Sequence, residues 1–320
     1  MSPSFRIEDV PGKGTGAVAS KKIPAGTLLV SETPFVVVPR YATLTLIAEC
    51  VMSQLHGKPS NEQRKFFNLE NNFKNMRPIE GIVKTNAMPL GCGSDLGGIF
   101  LESSRFNHSC SANASYSWNA DVKEERVYAI REIAAGQEIT VCYLADEDWT
   151  LSRKKRMVEI QDIHGFECSC ARCGEGDVEK QSASDARRQR FVEIERFLEG
   201  DWLRVHTPGI ALKLCREALG ILREEEAAVA MIESIYVEAF RICVSHADFA
   251  RASVFASLAA DERRKWKGHD SAGLQEYKAW ELKPQSHTSA NQTTQWGAQG
   301  KAELPPPSPY TEQWLWQRVD

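Results

Sequence analysis

No stretch of this chain has the roughly 18 consecutive apolar residues that a bilayer-spanning helix needs. Glu32 and Pro34 interrupt even Thr27 to Val38. Neither charge sign dominates, since 39 Lys+Arg against 43 Asp+Glu leave a net charge of −4. Coating nucleic acid calls for a strongly basic surface, so no direct nucleic-acid partner is indicated. The nine cysteines are an odd number, unevenly spread, and make a poor disulfide framework. They are expected to stay reduced and either bind metal or pack. The first ten residues alternate polar and apolar and lack the apolar core of a secretory signal, so the expected address is intracellular, in cytoplasm, nucleus or both, with no membrane partner. What is present is ordinary globular composition over 320 residues, 42% hydrophobic and 26% charged, enough for one large domain or two.

Along the chain, Val18-Ala19, Thr27 to Val30 and Phe35 to Val38 read as short strands punctuated by Pro24, Gly26, Pro34 and Pro39. From Ala42 to Phe73 the period changes: Leu44, Ile47, Ala48 and Val51 recur at helical spacing, and Asn61 is placed to cap a second run. Strand signals return at Val127 to Ile130 and Ile139 to Tyr143, around the turn Ala135-Gly136. The fold class is therefore α+β, with a helical insert at about 42–73 between small sheets. A helix over Ser152 to Asp162 leads into a cysteine cluster, and polar Glu175 to Ser184 reads as a linker. The predicted organisation is a first domain at 1–175, a helical domain at 185–283, and a disordered tail at 284–320 with an aromatic end, Trp314 and Trp316, placed to dock back. Ala186 to Leu198, Pro208 to Arg223, and the hairpin of Ile232 to Cys243 with Phe249 to Ala259 supply the helices, although no repeat is regular.

Cys168, Cys170 and Cys173 form C-x-C-x-x-C, three soft ligands on one turn. A tetrahedral zinc site needs a fourth, for which Cys110, Cys142 and His164 are candidates. Gly12-Lys13-Gly14-Thr15-Gly16-Ala17 formally satisfies a dinucleotide fingerprint, but such a fingerprint opens a helix and this one runs into strand-like sequence. Arg153-Lys154-Lys155-Arg156 lies among Glu147, Asp148, Glu159 and Asp162, which makes it a mixed solvated helix face rather than an import or nucleic-acid signal.

Four blocks occur in order: G-K-G-T-G-A-V-A, R-F-N-H-S-C, A-G-Q-E-I-T-V-C-Y and F-E-C-S-C-A-R-C. Together, over Phe5 to Cys173, they closely resemble the SET-domain protein lysine methyltransferases, in the style of the SET and MYND group. The resemblance implies a SET-domain β-clip fold with a post-SET zinc loop at 166–175 and a TPR-like C-terminal domain. It also implies S-adenosylmethionine as methyl donor and a lysine-bearing protein or peptide, histone or non-histone, as acceptor. By the same resemblance Tyr143 is the catalytic tyrosine, and Lys13, Gly14, Thr15, Asn86, Asn107, His108 and Phe166 join it around the cofactor. Lys13 would face the cofactor's carboxylate, Asn107 its amino-acid part, the His108 backbone and the Phe166 ring its adenine, and Cys110 would complete the zinc site with Cys168, Cys170 and Cys173. One departure stands out, because between Ser31 and Gly91 there is only Cys50 and a MYND finger has no ligand set. A catalytically silent, zinc-stabilised interaction module is the competing expectation.

Methyl transfer to lysine requires a neutral amine. A lysine of pKa about 10.4 must give up about 4.6 kcal/mol to be neutral at pH 7. An apolar channel and a neighbouring cation both lower that cost. Alignment by a tyrosine hydroxyl and carbonyl oxygens then does the rest.

Overall fold

The computed structural model describes residues 3–226, 229–297 and 311–317. These divide into two compact units. The first runs to Asp148 and includes Arg153–Gly174 and Lys265–Gly268; the second holds Trp149–Ser152, Glu175–Arg264 and the described residues from His269 onward.

The first unit is built from three small sheets. β1 (Phe5–Val10) and β2 (Gly14–Ala19) form an antiparallel hairpin. Its turn closes with the Lys13 N–H on the Val10 carbonyl at 3.0 Å, and Gly12 and Gly14 adopt positive φ, which a side chain would strain. The glycine-rich motif thus opens a strand, as its surroundings predict. β3 (Leu28–Glu32), β8 (Ala114–Asn119) and β9 (Glu124–Ala129) make the second sheet, in the order β3-β9-β8. β4 (Val36–Pro39), β5 (Met88–Pro89) and β6 (Leu96–Ile99) make the third. β10 (Glu138–Val141) pairs antiparallel with β2, and on its other edge it pairs parallel with the two-residue β7 (Asn107–His108). Buried Ala17, Ala19, Ile23, Val30, Phe106, Val127, Ile139 and Val141 form the core under these strands.

Between β4 and β5 the chain is helical. α1 (Leu44–His56) and α2 (Ser60–Phe67) are followed by α3 (Pro78–Asn86), beyond the predicted end at residue 73. α2 begins at Ser60 behind Pro59, so Asn61 sits inside the helix and does not cap it. Ile47, Val51, Leu55, Phe66, Ile82 and Val83 close over Val36, Val38 and Ile99 as a second core. Two further helices, α4 (Asp146–Trp149) and α5 (Arg153–His164), lead to the cysteine-rich turn.

The second unit is helical: α6 (Val178–Leu198), α7 (Trp202–His206), α8 (Pro208–Glu224), α9 (Val229–Ser245), α10 (Phe249–Lys267), α11 (Leu274–Leu282) and α12 (Thr311–Trp316). The polar stretch expected as a linker is mostly the first turns of α6, because Asp177 caps it by accepting from the Glu179 and Lys180 N–H groups at 2.9 and 3.3 Å. At the aromatic end Trp316 is buried, with its ring 4.8 Å from Phe255, and Arg251 lies over Trp314. Residues 284–297 of the expected disordered tail instead pack on the end of α9, with the Asn291 and Thr293 N–H groups on the Val244 and Ser245 carbonyls at 3.1 and 2.9 Å and Trp296 buried, while 298–310 and 318–320 lie outside the described residues.

Arg188 of α6 and Glu225 just beyond α8 are fully buried and paired at 3.2 Å, with Arg187 and Ser184 also on the Glu225 carboxylate. Removing one member of such a pair strands the other in a dry interior. Glu225→Ala is expected to cost about 3–5 kcal/mol. The measurement is the urea midpoint at unchanged slope; a midpoint equal to wild type would contradict it.

Candidate functional site

A cavity of about 820 Å³ opens within the first unit, within the size range of small-molecule sites. Lys13, Gly14, Thr15, Asn86, Asn107, His108, Tyr143 and Phe166 all line it. The structure therefore brings every predicted cofactor residue to one wall system, from five separate stretches of chain.

The convergence follows from the β7 to β10 pairing. Thr140 faces Asn107 and Val141 faces His108, so the turn after β10 lies beside the Asn-His step. The His108 Nδ1 accepts the Tyr143 backbone N–H at 3.0 Å, which leaves the proton on Nε2, 3.4 Å from the Cys110 sulfur. Burial pulls His108 down to about 4, so the ring is neutral. The Tyr143 hydroxyl donates to the Phe106 carbonyl at 2.7 Å, and burial, reinforced by Glu138, holds it well above the ordinary phenol range. It remains a phenol at any working pH.

On the hairpin side, the Lys13 ammonium pairs with Glu138 at 2.6 Å, and the Asn107 amide donates to Glu138 at 2.9 Å and to the Thr15 carbonyl at 3.3 Å. A side chain on Gly16 would begin 2.6 Å from that amide nitrogen, so only glycine lets Asn107 approach. Asn86, at the end of α3, donates to the Glu70 and Ile82 carbonyls, both at 2.7 Å. Phe166 stands edge-on to Tyr143 with ring centroids 6.3 Å apart.

The sulfurs of Cys110, Cys168, Cys170 and Cys173 lie within 4.8 Å of one another, all four residues buried. Four thiolates about 2.3 Å from a tetrahedral zinc would be about 3.8 Å apart. The Cys110 to Cys173 distance is 3.6 Å, so the donor set fits that ion in kind and spacing. The other candidates fall outside the cluster: Cys142 points its thiol at the Leu144 carbonyl, and His164 packs against Tyr143 with ring centroids 5.1 Å apart.

Several lining residues escape the sequence reading. Glu138 binds both Lys13 and Asn107, and its only signal is an acid at the head of an apolar strand. Tyr116, Trp118 and Glu125 line the cavity from the β8-β9 hairpin. The Tyr116 hydroxyl donates to the Ser103 carbonyl at 3.2 Å, three residues before the Tyr143 acceptor. Glu32, outside the cavity, accepts from the backbone N–H groups of Leu101, Glu102 and Ser103 at 2.6, 3.1 and 3.0 Å, and so anchors that same turn.

Over residues 14–144 the sequence matches the SET domain family. The histone-lysine N-methyltransferase set5 of Schizosaccharomyces pombe is 31% identical over 287 residues, covering 89% of this chain and 86% of that protein. The histone-lysine N-methyltransferase SMYD3 of Mus musculus is 40% identical over 76 residues, which are 24% of this chain and 17% of that protein. The histone-lysine N-methyltransferase SET5 of Candida albicans is 29% identical over 142 residues, 42% of this chain and 29% of that protein. The chain belongs to the SET-domain family, and with it to the protein-lysine N-methyltransferases.

Burial raises the Glu125 carboxyl to about 8; the Ser117 backbone hydrogen bond opposes this and Glu32 adds to it. An acid held above its unfolded value of about 4.3 binds its proton more tightly in the fold. Its contribution to stability is complete below that value and is lost as pH rises through about 8. Glu125→Gln, which has no charge to bury, is expected to melt higher than wild type at pH 8.5 and level with it near pH 4. An identical difference at both pH values would contradict this.

Proposed function

We propose that the protein transfers a methyl group from S-adenosylmethionine to a lysine side chain of a protein substrate, with histones as the first candidates. The observation that carries this reading is the meeting, in one cavity, of the glycine turn, the Asn107-His108 step, Tyr143 and Phe166. The names of the relatives and the absence of any basic excess on this chain, at net charge −4, favour a cationic protein acceptor. The proposed address is accordingly intracellular, nuclear or cytoplasmic. No helix among the described residues is long and apolar enough to cross a membrane.

In this reading the Lys13-Gly14-Thr15 turn, Asn86, Asn107, His108 and Phe166 hold the cofactor, which supplies an electrophilic methyl group on a sulfonium. Because Lys13 is already paired with Glu138, the turn offers a balanced ion pair rather than a bare cation to an amino-acid moiety. Tyr143 orients rather than deprotonates. Its own proton is committed to the Phe106 carbonyl, so its oxygen presents lone pairs to the cavity, and burial keeps it neutral. Its contribution is placement and electrostatic complementarity at the reacting centre. Cys110, Cys168, Cys170 and Cys173 are read as a closed, structural zinc site, a post-SET loop that fixes Phe166 two residues upstream of Cys168. The second unit is read as the TPR-like domain. A MYND finger is not part of this reading, since Cys50 has no partner cysteines within α1 to α3. The grouping is thus with SET and MYND proteins minus the finger, and no proline-rich partner is proposed.

Two measurements test this. Tyr143→Phe is expected to lower turnover on core histones by about 10²-fold, the scale for losing one preorganised polar contact. Equal turnover by the two proteins would count against the assignment and favour the silent module. Since the His108 ring spans Tyr143 and Cys110, stripping metal with a chelator is expected to weaken S-adenosylhomocysteine binding by about tenfold or more. Calorimetry with and without added zinc reads this, and unchanged affinity would refute the coupling.

A further inference from the structure

Glu125 is a carboxylic acid where the core of a sheet would call for an apolar residue. It is 2% exposed, lies on the wall of the cavity and has no cationic partner among the described residues. Register explains its direction. Glu125 pairs with Trp118 across β8 and β9, and directly opposed residues project from the same face. Tyr116, two residues before Trp118, projects there too. Trp118 in turn is in contact range of the Gly91 loop, where an added Cβ would sit 3.1 Å from its ring. The cavity therefore has a second end, aromatic and acidic, remote in sequence from the glycine turn. Tyr116 joins the two, because it packs with Tyr143 against the same core and stands on the face that Trp118 and Glu125 share.

An aromatic-walled recess with one buried carboxyl is the chemistry that receives an alkylammonium: ring faces for the stem and for the cation, and an anion to pair with it. We propose that Glu125 receives the ammonium of the acceptor lysine and takes one of its protons before methyl transfer. In that step an N–H bond of the ammonium breaks and an O–H bond forms on the carboxylate. The products are a neutral amine beside Tyr143 and a neutral carboxylic acid, and the total charge does not change. Glu32, opposite it on β3, and Tyr116 from β8 are the titratable groups against Glu125; both are acids, so neither stabilises a permanent carboxylate there. With no cation beside it, burial keeps this carboxyl protonated up to about pH 8; the arriving ammonium favours loss of that proton to solvent, and the carboxylate so formed is the acceptor, well matched to a desolvated lysine. This deepens the reading above and rests on it for the identity of the reaction.

The test uses the full chain as wild type, Glu125→Gln and Glu125→Asp, all saturated with S-adenosylhomocysteine. Saturation-transfer NMR compares n-butylammonium with neutral 1-pentanol as lysine-stem probes. The butylammonium signal is expected to fall by about tenfold or more in Glu125→Gln, to recover in part in Glu125→Asp, and to leave pentanol unchanged. In parallel, Glu125→Gln is expected to raise the KM for core histones and to lower kcat, with S-adenosylhomocysteine affinity within about twofold of wild type. Loss of both probes together, or no change in either, overturns the proposal. Selective ammonium binding by a wild-type protein that methylates no protein substrate would leave Glu125's binding role standing but overturn its proton-accepting role and the methyltransferase reading.

Discussion

Asn107 and His108 pair in parallel with Thr140 and Val141 over only two residues, and the site depends on that pairing. A short parallel ladder contributes little by itself. Its force comes from what it buries, since Phe106, Ile139 and Val141 are fully enclosed and the Ser109 N–H bonds the Val141 carbonyl at 3.0 Å. A slip of one residue would turn Asn107 away from the cavity and His108 out of its seat. Asn113 guards the register by accepting the Thr140 N–H at 2.9 Å and donating to the Glu138 carbonyl at the same distance. Glu138, at the head of the same strand, then sets Lys13 and Asn107 against each other. One edge of β10 thus organises the hairpin turn and its other edge organises the Asn-His step.

The interior around the cavity is polar to an unusual degree, and its polar groups are mostly spoken for. His108 bonds at both ring nitrogens, Asn86 gives its amide to two carbonyls, and Tyr116 and Tyr143 each give a proton to backbone. Such a network fixes geometry more than it adds stability, because each bond replaces one to water. Rigid placement is what an in-line group transfer requires.

The motifs were legible because each is a local requirement. Positive φ needs glycine at 12 and 14, close approach needs it at 16, and a four-sulfur cluster needs cysteines at short spacing. What was not legible depends on contacts distant in sequence. β1 has apolar residues only at Phe5, Ile7 and Val10, and its pairing with β2 makes it a strand. α3 carries Gly81 in its middle, a poor helix former by propensity, yet Asn71 packs where a side chain would be. The start of α6 reads as a linker because its residues are polar, although Asp177 ahead of it is an N-cap. Glu125 reads as one more surface acid in Lys123-Glu124-Glu125-Arg126; alternation along β9 turns Glu124 toward solvent and Glu125 inward.

Glu32 grips three successive amides of the 101–103 segment, and the phenols of Tyr116 and Tyr143 hang from carbonyls at 103 and 106. The two hydroxyls are therefore hinged to one short bracket rather than held independently. Any influence that loosens the bracket moves both at once, so the spacing of the two phenols on the cavity wall is governed from a carboxylate that is not part of that wall.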